Sequence, residues 1–584
     1  MSENLRSESV LRHGSHAYKS HSTSVYPVYR SSHISPAISA VPLITMSRVN
    51  YEDLTPILDR GQACIHCRRK KMRCDGAHPV CGPCSRTTRP TDCEYTDKQG
   101  RTRAEILEEN IARVEARIFE LEHPNAYSHD PIYLHNPYQQ QPPPATFDTG
   151  KDPTPELKIY LVDRVLQYTS ETSFFLNPKR FRASFVGHGK KAPIPALVSA
   201  VYLWGAHLSG DATLRARREE FLAQAVAKVA TSLSSSHPNR VLQTLQTELL
   251  LATYFYGAGR CVEGKYHLST GASIAIAAGL KKVRSASVGS RPMTGLDKAE
   301  DAINEGEQID AFWTTLALDQ MWTVALAAPT NFICLADRTT VVDETFDTPC
   351  PLETEQYEKG GYPRDLVSRR TVLTFLDGQP AGVGGSAEYS SKSVVCKAAM
   401  LWFQASVLIG SWRPDMSPSE TQSFSARFAT LNANIEQLRL HLVAPAQLRS
   451  APRSAFVAHN LVCAAFLQLH GMFGSREENT QSRQTILNAA RHTFQLLVNL
   501  NVSAMTKYVN PIIGTVWMSA SQVLFEELAR MKGQRPKGLR PGKAEYELQQ
   551  LTDAAIKEME ALKDGSTLLS YQVSRIREAY AAPF

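Results

Sequence analysis

Six cysteines lie within thirty residues near the start of this 584-residue chain: Cys64, Cys67, Cys74, Cys81, Cys84 and Cys93. Their spacing is C-x2-C-x6-C-x6-C-x2-C-x8-C, so two Cys-x-x-Cys pairs are each followed by one further cysteine. A Cys-x-x-Cys turn presents two sulfurs on one side of a bend, which suits tetrahedral zinc with Zn–S bonds of about 2.3 Å. One zinc ion would leave two cysteines unused, and two separate ions would need eight. Six cysteines therefore indicate two ions that share two thiolates.

Different roles for these cysteines fit their pattern less well. A disulfide framework is typical of secreted chains, and no signal peptide is recognisable here. RING, LIM and iron–sulfur sites usually need eight ligands, metal-binding histidines or other spacings. His66 and His78 lie inside the segment. Six thiolates already complete both tetrahedra, so neither histidine is expected to bind the metal.

The segment resembles the DNA-binding module of the fungal Zn2Cys6 binuclear-cluster transcription factors. The resemblance rests on Cys64-Ile-His-Cys-Arg-Arg-Lys-Lys-Met-Arg-Cys74 and on His78-Pro-Val-Cys81-Gly-Pro-Cys84. It implies two structural Zn²⁺ ions per chain, with Cys64 and Cys81 bridging both. Cys67 and Cys74 would complete one site, and Cys84 and Cys93 the other.

Positive charge is concentrated around the cysteines. Residues 60–103 contain 11 Lys/Arg and 4 Asp/Glu, a formal charge of +7 that equals the net charge of the whole chain. Two Zn²⁺ ions and six thiolates would add −2 and leave about +5 on a small module. A compact basic face of this kind is typical of contact with the phosphates of double-stranded DNA.

The basic spacer between Cys67 and Cys74 predicts a short helix over 68–73. By resemblance this helix enters the major groove, and Lys71 reads base edges, typically the guanines of a CGG triplet. A lysine can donate to both O6 and N7 of guanine. Lys70 is expected to reach the groove beside it, and Arg68 and Arg73 to hold phosphates. Arg69 replaces an apolar residue common in the family.

A heptad pattern follows the cysteines. Ala104, Leu107, Ile111, Val114, Ile118 and Leu121 recur at alternating steps of three and four. In a parallel pair of helices, Arg103 would face Glu108 and Arg117 would face Glu122 across the interface. The pattern therefore predicts a homodimer with both clusters at one end. The alternative is an amphipathic helix that packs on the chain's own core.

These features predict a mainly α chain in five parts. Residues 1–60 are expected to be disordered and 61–96 to be the zinc-cluster DNA-binding module. Residues 97–122 form the linker and coiled coil, and 123–153 a flexible linker. Residues 154–584 are predicted to be one large all-α region that begins at an N-capping Thr154 followed by Pro155. Longer helices are expected over 307–328, 394–412, 455–473, 480–500, 503–531 and 543–563.

The helical region resembles the family's middle homology region, a regulatory domain. The likeness lies in 264–280 and in Phe312-Trp313 through Leu318-Asp319 to Pro329, although Gln308, Ile309 and Asp310 stand where arginines are usual. The resemblance implies contact with the transcription machinery or co-regulators and, in some members, with a small-molecule effector. The sequence names no residue for such a ligand.

No motif favours an enzyme or a membrane protein. Residues 259–265 nearly match a phosphate-binding loop, but Tyr266 stands where Ser or Thr must hold Mg²⁺. No apolar run of about 20 uncharged residues is apparent. We therefore predict a nuclear, zinc-dependent, sequence-specific transcription factor that binds paired CGG-like triplets. The alternative is a helical regulatory scaffold whose zinc module docks on a protein.

Overall fold

The computed structural model describes residues 63–86, 93–95, 108, 111–112, 115, 153–186, 192–285, 296, 299–336, 346–379, 389–474, 479–536 and 538–582. Within these residues the regular elements are helical and there is no β-strand, which confirms the predicted mainly-α class. The chain divides into two compact units. The described residues of the first lie between 63 and 115, and those of the second between 153 and 582.

In the continuous described part of the first unit, residues 63–86, there are two short helices, α1 (Ile65–Arg69) and α2 (Gly82–Ser85). The described helices of the second unit are α3 (Pro155–Leu166), α4 (Pro178–Val186), α5 (Pro195–Leu208), α6 (Ala212–Ala216), α7 (Arg218–Val229), α8 (Arg240–Gly257), α9 (Cys261–Ala277), α10 (Ala302–Leu326), α11 (Ile333–Ala336), α12 (Thr354–Glu358), α13 (Thr371–Leu376), α14 (Ser391–Gly410), α15 (Pro418–Leu440), α16 (Arg453–Gly474), α17 (Thr480–Leu500), α18 (Val502–Met505), α19 (Ile512–Gln534), α20 (Lys543–Leu562) and α21 (Thr567–Ala581). Single 3-10 turns occur at Ser232–Ser234, Leu280–Lys282, Pro445–Gln447 and Lys563–Gly565.

A succession of packed helices builds the core of the second unit. α5 packs against α8, α8 against α9, α9 against α10, α10 against α14, α14 against α16, and α16 against α17. Because α5, α8, α10, α14 and α16 are covered by neighbours on several sides, they are buried over most of their length. Their side chains join one continuous hydrophobic core.

Most of the predicted helices are present with small shifts at their ends. Thr154 caps α3 as predicted, because its Oγ1 accepts a hydrogen bond of 3.4 Å from the backbone N–H of Leu157. The prediction of one helix over 503–531 is wrong. The chain forms α18 and then α19, which starts directly after Pro511. A proline offers no N–H and disfavours a helical residue before it, so the two helices cannot be continuous.

Among the described helices, two have the length and apolar composition of a membrane span, although no run of about 20 uncharged apolar residues is apparent in the sequence. They are α14 and α16, and in each 72% of the most apolar stretch is buried inside the unit. The two helices also pack against each other. Their apolar residues are therefore accounted for by the protein core.

The segment that resembles a phosphate-binding loop forms the start of α9, and it follows a helix rather than a strand. Nζ of Lys265 donates to Oδ1 of Asp319 at 3.2 Å and to the carbonyl of Pro329 at 2.8 Å. Asp319 is fully buried and also accepts from Thr330 Oγ1 at 2.6 Å. Lys265 therefore ties α9 to α10 and to the segment after α10, which is a structural role.

The residues before Phe312 and Trp313 form a different contact from the arginines usual in the resembled family. Asp310 pairs with Lys392 of α14. Trp313 is buried, and its Nε1 donates to the carbonyl of Pro349 at 2.6 Å. A lysine from a neighbouring helix thus supplies the cation at this position, and it joins α10 to α14.

Candidate metal centre and basic surface

Four cysteine sulfurs meet between α1 and α2. Sγ of Cys64 lies 3.7 Å from Sγ of Cys81 and 3.6 Å from Sγ of Cys84. Sγ of Cys67 lies 3.6 Å from Sγ of Cys81 and 3.7 Å from Sγ of Cys84. Zn–S bonds of about 2.3 Å in a tetrahedron give sulfur–sulfur distances of about 3.8 Å. The four sulfurs therefore fit a tetrahedral metal site.

The short helices bring the two Cys-x-x-Cys pairs together. Cys64 is the N-cap of α1, and its Sγ accepts from the backbone N–H of Cys67 at 3.3 Å. Cys81 occupies the same place before α2, which contains Cys84. In each pair the first turn of helix places the second sulfur beside the first. All four of these cysteines are fully buried.

The other two cysteines lie close to Cys81. Sγ of Cys93 accepts from the backbone N–H of Cys81 at 3.2 Å. Sγ of Cys74, an oxygen of Asp75 and Sγ of Cys81 lie within 4.8 Å of one another. Cys81 thus lies near the other five cysteines, and its role as a bridging ligand stays a prediction. The resemblance assigns Cys67 and Cys84 to different ions, whereas here these two sulfurs lie 3.7 Å apart, so the assignment of ligands to ions stays a prediction.

Thiolates at these positions are costly unless a cation balances their charge. Burial and the neighbouring Cys64 and Cys81 side chains raise the pKa of the Cys67 thiol to about 12, and burial also raises the pKa of Cys84. Several thiolates at these distances would repel one another unless a cation lies between them. The donor set, the burial and the spacing all fit Zn²⁺, which binds thiolates. Neither His66 nor His78 belongs to the potential ligand groups found among the described residues.

A carboxylate that sequence reasoning missed supports the second helix. Both oxygens of Asp75 accept from the backbone N–H of Gly82, at 3.1 and 2.9 Å, and Oδ1 also accepts from Ala77 at 3.2 Å. Gly82 permits this approach, because a Cβ there would lie 2.4 Å from Oδ2 of Asp75. The available sequence signal was the Asp75-Gly76 pair directly after Cys74, a common turn sequence.

The basic side chains form an exposed surface beside the cysteines. The cations of the spacer are all exposed: Arg68, Arg69, Lys70, Lys71 and Arg73. Arg86, directly after α2, is exposed as well. The guanidinium of Arg68 also donates to the carbonyl of Ala63 at 3.0 Å. Within the described residues 63–86, Asp75 is the one acidic residue, and it is exposed. This surface therefore has a strongly positive potential.

The spacer is helical over a different range from the one predicted. The helix is α1, Ile65–Arg69, and not 68–73. It ends because Lys71 has a left-handed backbone with φ of 51°. The N–H groups of Lys71 and Met72 donate to the carbonyls of Arg68 and Cys67, at 3.3 and 3.0 Å. This pair of hydrogen bonds is a Schellman motif, whose left-handed position is usually glycine. With no glycine present, the sequence lacked the usual stop signal.

The heptad segment is described at only a few positions. Glu108, Ile111, Ala112 and Glu115 are helical, and 55% of Ile111 is exposed. The other seam residues lie outside the described residues: Ala104, Leu107, Val114, Ile118 and Leu121. An exposed isoleucine on a helix fits a seam that needs a partner, and the coiled coil stays a prediction.

Comparison with known families settles what the first unit is. Residues 62–102 match the family model described as the fungal Zn(2)-Cys(6) binuclear cluster domain. The chain carries a fungal Zn(2)-Cys(6) binuclear cluster domain. A domain of this family binds two zinc ions, in agreement with the sulfur geometry. This match confirms the resemblance of the cysteine-rich segment to the Zn2Cys6 module.

Two curated relatives extend the comparison. The chain is 24% identical over 333 residues to the notoamide biosynthesis cluster transcriptional coactivator notQ' of Aspergillus versicolor. The aligned segment covers 53% of this chain and 63% of the relative. It is 41% identical over 66 residues to the transcriptional activator protein acu-15 of Neurospora crassa, and this aligned segment covers 10% of this chain and 7% of the relative. The chain thus spans less than two thirds of either relative. No solved structure shows a significant match.

Proposed function

We propose that this protein is a zinc-dependent, sequence-specific DNA-binding regulator of transcription by RNA polymerase II, acting in the nucleus. The observation that carries the proposal is the row of exposed cations attached to a buried cysteine cluster. The family of the zinc cluster domain and the names of both relatives support it. Both relatives are named for activation, which favours positive control of transcription.

In this proposal zinc folds the module and basic side chains hold it on DNA. The ions are held by Cys64, Cys67, Cys74, Cys81, Cys84 and Cys93. The hydrophobic cluster of the first unit consists of cysteines with a few partly buried neighbours, so bound metal replaces a hydrophobic core there. Contacts of Arg68 and Arg73 with phosphates then fix the register of the module on the duplex.

Base recognition is assigned to Lys71, with Lys70 beside it and Arg69 at the edge of the same surface. The side chain of Lys71 is exposed, and the residue adopts a backbone conformation that is rare for a lysine. Unfavourable backbone conformations often occur at functional sites. Its ammonium can donate to O6 and N7 of guanine, which fits a CGG-like triplet.

Dimerisation would place two such modules on paired triplets. The proposed seam is formed by Leu107, Ile111, Val114, Ile118 and Leu121 in a parallel coiled coil. The helical unit would then be the regulatory region. The match to the Aspergillus relative supports this, because its 333 residues extend well beyond the zinc cluster domain.

A selection from random double-stranded DNA with the zinc-loaded full chain tests the proposal. We expect enrichment of paired CGG-like triplets, a steep loss of binding with rising salt, and loss of enrichment after chelation. Weak binding without sequence preference would instead favour a module that docks on a protein.

Variants of the spacer test the role of each cation. Lys71→Gly removes the ammonium without backbone strain, because glycine readily adopts φ near 51°. We expect it to reduce discrimination between CGG and scrambled DNA by about 1–3 kcal/mol. Arg73→Ala should weaken binding to both sequences alike. Equal effects of the two variants on discrimination would contradict the assignment, and zinc content verifies that each variant is folded.

Two neighbouring substitutions test the dimer. Ile111 and Ala112 are both helical and exposed, but only Ile111 lies on the proposed seam. We expect Ile111→Asp to convert a dimer to a monomer in sedimentation experiments and Ala112→Asp to leave the dimer intact. A wild-type chain that is monomeric both free and on DNA would refute this part of the proposal.

A further inference from the structure

A cavity of about 650 Å³ opens in the helical unit among α15, α16, α17 and the segment that follows α15. Its volume falls in the range of roughly 300–1,000 Å³ that is usual for small-molecule sites. The wall from α16 contains Val462, Cys463 and Phe466, which are almost fully buried, and the segment after α15 adds the half-buried Leu442 and Val443. These two side chains offer apolar surface to a ligand.

The facing wall from α17 is polar. Gln481, Gln484, Asn488, His492 and Gln495 recur at steps of three and four and line the cavity together. The buried residues of the same helix, such as Ile486, Phe494 and Leu497, mostly join the core instead. A polar stripe that faces a cavity gives a ligand hydrogen-bond partners as well as apolar contact.

Two histidines in the cavity wall form a hydrogen-bonded chain with a defined direction. Nε2 of His459 lies 2.8 Å from the carbonyl of Val443, which can only accept, so Nε2 carries the hydrogen. Burial lowers the pKa of both histidines, that of His492 to about 4, so both are neutral near pH 7. Nδ1 of His459 therefore accepts from Nε2 of His492 at 3.1 Å.

This arrangement leaves Nδ1 of His492 as an acceptor. None of the hydrogen bonds described for this part of the chain uses that atom, and His492 lines the cavity. A hydroxyl or amino group of a ligand could donate to it. The carbonyl of Val443 fixes the tautomer of His459, and His459 in turn fixes that of His492. The cavity therefore selects a group that donates a hydrogen bond.

The charges around the cavity favour an anion. Its ionised side chains are Arg439, Arg491 and Glu436, and Glu436 already accepts from Nε of Arg439 at 2.7 Å. Two guanidinium groups against one carboxylate leave a net positive charge. Arg491 is half-buried, and it is the cation of the wall that has no described carboxylate partner.

We propose that this cavity binds a small organic acid that has an apolar body and an O–H or N–H group. The carboxylate lies near Arg491 and Arg439, the apolar body packs on Leu442 and Val443, and the hydroxyl or amino group donates to His492. This proposal does not rest on the DNA-binding function proposed above. Binding of the acid to the chain can be measured without DNA, so either proposal can fail while the other holds.

The test uses the zinc-loaded full chain and three hydroxy acids, phenyllactate, indolelactate and hydroxyisocaproate, each beside its methyl ester. Saturation-transfer NMR and thermal unfolding report binding. We expect saturable binding of an acid at least ten-fold tighter than that of its ester. Arg491→Gln should weaken the acid by at least ten-fold and leave the ester unchanged, and His492→Phe should remove the preference for the hydroxy acid over its deoxy analogue.

Matched controls separate this site from general effects. Arg427 is an exposed arginine of α15 that does not line the cavity, so Arg427→Gln should leave binding unchanged. Ala489 is a buried part of the cavity wall, and Ala489→Phe should fill it and abolish binding. The proposal is overturned by equal binding of acids and esters, by equal effects of the two arginine variants, or by no saturable binding of any of the three acids to a folded chain.

Discussion

Asp75 and Gly82 depend on each other at the edge of the cysteine cluster. The carboxylate of Asp75 accepts twice from the N–H of Gly82, at 3.1 and 2.9 Å, directly beside Cys81. Any other residue at position 82 would displace the carboxylate, because its Cβ would lie 2.4 Å from Oδ2 of Asp75. The pair therefore orients the start of α2, and with it two of the proposed zinc ligands.

We predict that Gly82→Ala weakens zinc retention. The lost charge-assisted hydrogen bonds correspond to about 1–3 kcal/mol, which a competition titration with a coloured chelator measures. Ser85→Ala is the matched control, since it removes only a local hydrogen bond of 2.8 Å from Ser85 Oγ to the carbonyl of Gly82. Equal zinc affinity of the two variants would show that Asp75 does not support the cluster.

His207 is a buried titratable group that predicts how stability depends on pH. Its Nε2 lies 3.1 Å from the carbonyl of Gly565 and its Nδ1 lies 3.2 Å from Nη1 of Arg218. Burial and the positive charge of Arg218 lower the pKa of His207 to about 4. Its unfolded pKa is about 6.5, so between these values the unfolded chain binds more protons.

Stability should therefore fall as the pH is lowered from about 6.5 to 4, by roughly 3 kcal/mol from this residue. Urea unfolding of the full chain at pH 7, 6 and 5 measures the slope. His207→Gln is expected to flatten that slope even if it lowers the stability at pH 7. An unchanged slope in the variant would assign the pH dependence to other groups.

At the scale of elements, two helices end in the same motif without a glycine. Lys71 lies just after the end of α1, and Ala327, which has φ of 48°, lies just after the end of α10. The N–H groups of Ala327 and Ala328 donate to the carbonyls of Val324 and Thr323, at 3.3 and 3.1 Å. Helix ends of this kind escape sequence reasoning, which depends on glycine as the signal.

We predict that Ala327→Gly stabilises the helical unit by about 1 kcal/mol, because glycine adopts the left-handed conformation without a Cβ penalty. Ala325→Gly, two residues earlier and inside α10, should destabilise it by about 1 kcal/mol. Thermal or urea unfolding of both variants measures the two effects. The same sign for both would contradict the assigned end of the helix.

At the scale of the whole molecule, the two units are stabilised by different means. Among the described residues of the zinc cluster domain the buried ones are cysteines, whereas the helical unit has a large apolar core that extends through α5, α8, α10, α14 and α16. Bound metal therefore stabilises the fold of the first unit, whereas burial of apolar side chains stabilises the fold of the second.

Removal of zinc should accordingly unfold the zinc cluster domain and leave the helical unit folded. We expect chelation to abolish DNA binding while the far-ultraviolet circular dichroism and the main thermal transition change little, because α1 and α2 together contain only nine residues. Readdition of zinc should restore DNA binding. A large loss of helical signal on chelation would mean that the helical unit also depends on the metal.

Local sequence was sufficient where a few neighbouring residues decide the outcome. Thr154 and Pro155 predicted the start of α3, since a cap needs only residues in sequence. The helix expected over 480–500 is also present, as α17 from Thr480 to Leu500. The break at Pro511 was equally local, and it was missed although proline carries the signal.

The sequence by itself determined the zinc cluster domain, the mainly-α class and the concentration of positive charge, because ligand spacing, helical periodicity and net charge are properties of short segments. Tertiary structure alone decided the partners of Asp75, Asp310 and Lys265 and the cavity between α16 and α17. His459 and Val443 are sixteen residues apart, and His459 and His492 are thirty-three apart. Contacts of this kind arise from packing of whole helices, which no local pattern encodes.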